Sequence, residues 1–268
     1  MILILRHDID TDLAQAARFA ELEVEVGVRS TYFVLLRTDF YNPASKQSLE
    51  KLHHIQALGH EIGLHFDEKA YPDGAPEETV TNILHEKDIL ASILGTPVTT
   101  VSMHRPSKTT LEADLKIPGM VNSYGKTFFH DFKYLSDSRR RWREPVEEII
   151  KSEEYDRLHV LTHAFWYHEK DESIEITVGR FVRSANRERY GQMKENITDL
   201  PSILKEDEFS MKITEVSFFL EDQNIPFEFR GNSDLEVEGF SSLTCYKKNS
   251  FTWIKTQKIF LTALICLR

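Results

Sequence analysis

Short apolar runs that alternate with longer amphipathic stretches constrain this chain most, because strands joined by crossover helices pack as a mostly parallel sheet or barrel. Ile2 to Leu5 reads as a strand, and Asp12 to Glu25 as a helix with Leu13, Ala16, Ala17, Ala20 and Val24 on one face. Thr31 to Leu36 is the next strand. Lys46 to Leu58 carries Leu49, Leu52, Ile55 and Leu58 at helical spacing, and Gly59 stops it before a strand from His60 to Leu64. Glu77 to Leu94 is a helix closed by Gly95, and Val98 to Met103 and Leu158 to Thr162 are further strands. Beyond Asn186 the pattern weakens into a polar helical stretch, then a strand-rich segment with Val216 to Leu220 and Phe227 to Phe229. A loose boundary near Pro201 leaves a barrel domain over residues 1–200 and a C-terminal extension, 201–268, with no assigned role.

The length of 268 residues is enough for one barrel-sized core. A net charge of −10 makes the average surface repel phosphate backbones, so nucleic acid is not an expected partner unless a local basic patch exists. Arg139, Arg140, Arg141 and Arg143 form one such patch, which reads first as a solvated loop and alternatively as an anion-binding element. Two cysteines, Cys245 and Cys266, give no disulfide framework and fit a reducing, cytoplasmic setting. The apolar start Met1 to Leu5 meets Arg6, His7 and Asp8 at once, which is a strand rather than a signal peptide. Ile259 to Leu267 is apolar for about half the span a bilayer needs, so no membrane span is expected.

In a parallel barrel the chemistry gathers at the C-terminal ends of the strands, and the polar clusters fall there: His7-Asp8-Ile9-Asp10, His65-Phe66-Asp67, His104-Arg105 and His163. Hydrolysis of an unactivated amide needs a polarised carbonyl, a deprotonated water and an acid for the departing amine, and these clusters supply all three. Asp8 and Asp10 alternate across Ile9, so both can face the barrel axis, one as base and the other as metal ligand. Taken alone, two aspartates before Thr11 and Asp12 are more often a helix cap. His65 ends its strand next to a carboxylate and is the firmest ligand. Pro106 favours extended geometry at Arg105, from which its guanidinium can orient Asp8. His163 has an imidazole suited to protonating a leaving nitrogen. The aromatics after it, Phe165, Trp166 and Tyr167, form either a wall for a sugar ring or a plug of the barrel end.

Taken in order, these motifs resemble those of the polysaccharide deacetylase family, the NodB homology domain of carbohydrate esterase family four, over roughly residues 1 to 185. The resemblance implies a distorted (β/α) barrel with seven parallel strands. It implies Asp8 as catalytic base, Asp10 and His65 as metal ligands, Arg105 as the group that positions the base, and His163 as general acid. Tyr134 to Ser138 with Trp142 resembles the family's supporting aspartate and tryptophan, which gives Asp137 the role of holding His163. Leu161 would line the acyl pocket, with Trp166 and Tyr167 beside the sugar. The implied activity is metal-dependent removal of an N-acyl group from an amino sugar in surface polysaccharide or sugar-precursor metabolism, with zinc as the first expectation.

The chain departs from the family pattern at Lys69, where a second metal histidine is expected; a protonated amine repels a cation. Asp67 or His104 can complete a three-ligand site. His104 and Arg105, adjacent on a strand, should point opposite ways, which counts against using both. The same departure motivates an alternative function, a non-catalytic carbohydrate-binding barrel with a degenerate metal site.

Overall fold

A computed structural model of the chain describes residues 1–72, 74–168 and 172–205, together with two short strands, Phe227–Arg230 and Asp234–Val237. Strands and helices alternate as β1 (Ile2–Ile9), α1 (Leu13–Glu25), β2 (Thr31–Leu35), α2 (Lys46–Ala57), β3 (Glu61–Asp67), α3 (Pro76–Leu94), β4 (Thr100–His104) and α4 (Lys108–Glu112). Then follow β5 (Val121–Asn122), α5 (Lys126–His130), β6 (Lys133–Ser136), α6 (Val146–Ser152) and β7 (Arg157–Thr162). Local chemistry fixes the boundaries. The Asp12 carboxylate accepts the amide of Gln15 at 2.9 Å, and Ser45 caps α2 through the amide of Ser48 at 3.3 Å, each cap being worth about 1 kcal/mol. Gly59 and Gly95 end α2 and α3 at φ of 87° and 68°, a left-handed backbone that side chains disfavour.

The seven strands form one parallel sheet in the order β5-β4-β3-β2-β1-β7-β6. β1 pairs with both β2 and β7, so the first and last strands are neighbours as in a ring, and the interruption falls between β5 and β6. The sheet is curled rather than flat. β4 lies three strand positions from β1, roughly 14 Å away in a flat sheet, yet the Ser102 hydroxyl on β4 donates to the Asp8 carboxylate on β1 at 3.2 Å. This is the distorted seven-stranded barrel that the sequence implies. β5 and β6 are absent from the sequence reading because two and four residues are too few to show a period.

Apolar side chains fill the space between the outside of this curl and the helices. Ile9, Tyr32, Val34, Ile62, Leu64, Val101 and Met103 pack with Leu13, Phe19, Leu52, Ile55, Ile83 and Leu90, while Leu5, Leu158 and Val160 pack with Val146 and Ile150 of α6. The inside is polar and tight. Gly63 on β3 leaves no space for a Cβ, which would lie 2.6 Å from the Phe33 ring and 2.5 Å from the Thr100 hydroxyl.

One polar cluster is built into the outer layer. His7, whose neighbours on β1 face the barrel interior, turns the other way and meets Glu23 of α1 at 2.8 Å and Thr162 at 2.5 Å. The second oxygen of Glu23 accepts from the hydroxyls of Ser30 at 2.6 Å and Tyr32 at 2.7 Å. Burial raises the affinity of Glu23 for a proton, but His7 and these donors outweigh it and hold the carboxyl below its ordinary range.

The described residues divide into two compact units, the second beginning at Glu172. That second unit contains α7 (Ile174–Asn196), capped by Ser173, then α8 (Leu200–Ile203) and an antiparallel pair, β8 (Phe227–Arg230) with β9 (Asp234–Val237). The expected strand at Val216 to Leu220, the apolar run Ile259 to Leu267 and both cysteines lie outside the described residues. Among the described residues no helix is long and apolar enough to cross a membrane.

Candidate active site

Parallel strands end on the same side of the sheet, and their last residues bring Asp8, Asp10, His65, His104 and His163 together. Asp10 follows β1 and is the hub. Its Oδ1 lies 3.2 Å from His65 Nε2 and 3.4 Å from His104 Nδ1, and those two nitrogens are 3.1 Å apart. That Oδ1 is buried and makes no hydrogen bond of good geometry, so an acceptor and two imidazole nitrogens converge on one point. Burial penalises the charged carboxylate, but His104 and His65 more than compensate and hold the Asp10 pKa far below the carboxylate range.

Of the two residues expected to supply a third ligand, His104 lies with Asp10 and His65, and Asp67 does not. Both Asp67 oxygens are engaged elsewhere, one accepting the amide of Lys69 at 3.1 Å and the other the guanidinium of Arg105 at 2.5 Å. His104 and Arg105 do not simply alternate. Arg105 has left the strand at φ 49°, not the extended geometry expected before Pro106, and this turn swings its half-exposed side chain onto Asp67.

Asp8 is oriented by a different arginine. Arg6 Nη1 lies 3.1 Å from Asp8 Oδ1, Ser102 donates to the same carboxylate, and Arg6 also contacts the Ser102 hydroxyl. The guanidinium lies over the Tyr124 ring at 4.8 Å and is 1% exposed. Burial opposes its charge, yet Asp8 and the aromatic hydroxyls around it raise its proton affinity above the ordinary value. Sequence inspection passed over Arg6. The available signal was its spacing, two residues before Asp8 and hence on the same face of the strand.

His163 follows β7 and is held twice by Asp137, which accepts Nδ1–H at 2.6 Å and the backbone amide at 3.0 Å. Burial would lower the imidazole's proton affinity, but Asp137 prevails and raises the value to about 9. The other ring nitrogen, Nε2, faces Asp10 Oδ2 at 3.8 Å. A cavity opens at this point, lined by Asp8, Asp10, Thr11, His163, Phe165 and Trp166. Of the residues expected to bind substrate, Trp166 lines it. Leu161 is buried on β7 outside this lining, and Tyr167 packs on Phe19 with ring centroids 5.3 Å apart. Asp137, at the end of β6, is followed by two residues in left-handed conformation, Arg139 at φ 60° and Arg140 at φ 57°, each costing of order 1 kcal/mol or more.

No protein-family model matches the chain, and no curated protein matches it either. Among solved structures it is similar to a family 4 acetyl xylan esterase from Clostridium thermocellum in complex with a cobalt ion, at 15% identity over 61% of this chain and 74% of that one, TM-score 0.40. It is similar to the peptidoglycan deacetylase PdaC from Bacillus subtilis, at 16% identity over 73% and 96% of the two chains, TM-score 0.43. A chitin deacetylase from the fungal pathogen Colletotrichum lindemuthianum matches at 16% identity over 68% and 81%, TM-score 0.43. All three are carbohydrate esterases or deacetylases by name.

Proposed function

We propose that this chain is a metal-dependent hydrolase that removes an N-acyl group from an amino sugar, as acetate when the group is acetyl. The carrying observation is the convergence of Asp10 Oδ1, His65 Nε2 and His104 Nδ1 on one point, with Asp8 and His163 at its edge. Two imidazoles and a carboxylate with room for further ligands suit a catalytic divalent cation, zinc first. Such an ion, when bound, polarises an acyl oxygen and acidifies water.

The protein's own groups do the rest. Asp8, fixed in direction by Arg6 and Ser102, accepts a proton from the attacking water. The water oxygen bonds to the acyl carbon, the carbon–nitrogen bond breaks, and His163 delivers its proton to the departing nitrogen. Asp137 keeps Nδ1 of His163 occupied, so that Nε2 faces the cavity. Trp166 and Phe165 offer apolar surface to a sugar ring.

The rival reading, a sugar-binding barrel without catalysis, rests on Lys69. With His104 in place of the ligand expected at Lys69, three donors are still assembled, which favours the enzyme. Metal analysis after dialysis against zinc, with acetate release from N-acetylated sugars, tests the choice. The enzyme holds one equivalent and loses both metal and turnover in Asp10→Ala; a wild-type protein that binds no metal and releases no acetate leaves the binder.

A further inference from the structure

The arginine cluster remains unabsorbed by this chemistry. Arg139, Arg141 and Arg143 are exposed on the loop that begins at Asp137, the residue that grips His163. None of the three makes a side-chain hydrogen bond or ion pair with another described residue. That is unusual for a chain of net charge −10, where carboxylates to pair with are in excess. The loop's position is set by the sheet. β6 pairs with β7 in register up to Ser136 and Leu161, so the residues that follow, the arginine loop and the His163-to-Trp166 segment, leave neighbouring strands at the same end. The second of these segments lines the cavity, and Arg140 interacts electrostatically with Tyr167 beside it. Arg139 and Arg140 also hold consecutive left-handed conformations that non-glycine residues rarely adopt.

We infer that this loop is an oxyanion subsite and that the substrate is an amino sugar carrying a phosphate or carboxylate. Unpaired guanidiniums present planar forks of donors that match either group. They also give a protein that otherwise repels anions a local field to draw one toward the cavity. The sugar part of this inference rests on the proposed function; the charge part does not.

Calorimetric titration of the zinc-loaded protein separates the two. The probes are N-acetylglucosamine, its 1-phosphate, and N-acetylmuramic acid as the carboxylate, with acetate release measured independently. We expect one or both anionic sugars to bind about tenfold or more tightly than the neutral sugar, with the advantage shrinking as salt rises. The source of the anion follows from which of the two is preferred. A variant with Arg139→Gln, Arg141→Gln and Arg143→Gln loses that advantage and retains its affinity for the neutral sugar and its metal content. Equal affinity for all three sugars, or an anion preference that survives the triple substitution, overturns the inference whether or not acetate is released. Preferential anion binding without acetate release overturns the deacetylase reading alone.

Discussion

Arg6 and Asp8 project from the same face of β1 and meet at 3.1 Å with both side chains removed from water. An ion pair in that setting contributes little net stability, but removing one partner strands the other charge, at a cost of about 3–5 kcal/mol. Asp8 is also the base of the proposed reaction, so its direction matters as much as its charge.

Arg6→Met is therefore expected to lower the unfolding free energy by several kcal/mol, on the scale of about 3–5 for a broken buried pair, and to abolish acetate release. Arg6 reaches Asp8 and Ser102 through one nitrogen, Nη1, and Arg6→Lys keeps the charge on a shorter side chain that must bring its ammonium to that same point, so it should fold and turn over poorly. Arg105→Gln, which frees only Asp67, should leave kcat within about threefold of wild type, because the pair is open to solvent on the Arg105 side and touches neither Asp8 nor Asp10. Denaturant titration and initial rates on the three variants check this. Greater damage to kcat from Arg105→Gln than from Arg6→Lys would return the positioning role to Arg105.

Metal retention should separate His104 from Asp67. His104→Ala removes one of three converging donors and is expected to lose stoichiometric zinc on dialysis, whereas Asp67→Asn keeps it, since both Asp67 oxygens serve the backbone of Lys69 and Arg105. The reverse pattern would place the third ligand on Asp67.

The pH dependence follows from His163. Its folded value is raised to about 9 from an ordinary 6.5, so the stability that Asp137 contributes is fully present below 6.5 and is lost as pH rises through 9. Thermal unfolding of the metal-free protein should show this loss between those limits, and Asp137→Asn should flatten it. The rate should fall on the alkaline side for the same reason, as the acid loses its proton. A cation at Asp10, which lies 3.8 Å from His163, moves that fall to lower pH than in the metal-free stability curve.

The Glu23 cluster should matter for folding and not for metal. Glu23→Ala leaves the hydroxyls of Ser30 and Tyr32 and the imidazole of His7 without their buried acceptor, a loss of roughly 3 kcal/mol or more. Urea unfolding measures it, with zinc content expected to stay at the wild-type level in the folded protein.

The strands and helices with clear periods were legible: β1 to β4, β7 and α1 to α3 all begin or end within a few residues of where apolar spacing, Gly59 and Gly95 put them. The placement of polar residues at strand ends was legible too, since it needs only the parallel rule. What sequence could not show is which side chain reaches which. The motif order points to Arg105 as the partner of Asp8, yet the left-handed turn at Arg105 carries it to Asp67, and Arg6, two residues before Asp8 on the same strand face, holds Asp8 instead. That His104 gathers with Asp10 and His65 while Asp67 does not was hidden for the same reason. It depends on whether the strand stops at residue 104 or continues.

The interruption between β5 and β6 sets where this ring yields first. β6 is laddered to β7 on one flank and has no strand partner on the other among the described residues, so releasing it breaks fewer than half the paired positions that releasing β1 would. Asp137 and the arginine loop hang from that weakly fastened strand. Loosening on this side of the seam reaches the clamp on His163 first, while Asp10 and His65 leave β1 and β3, strands laddered on both flanks.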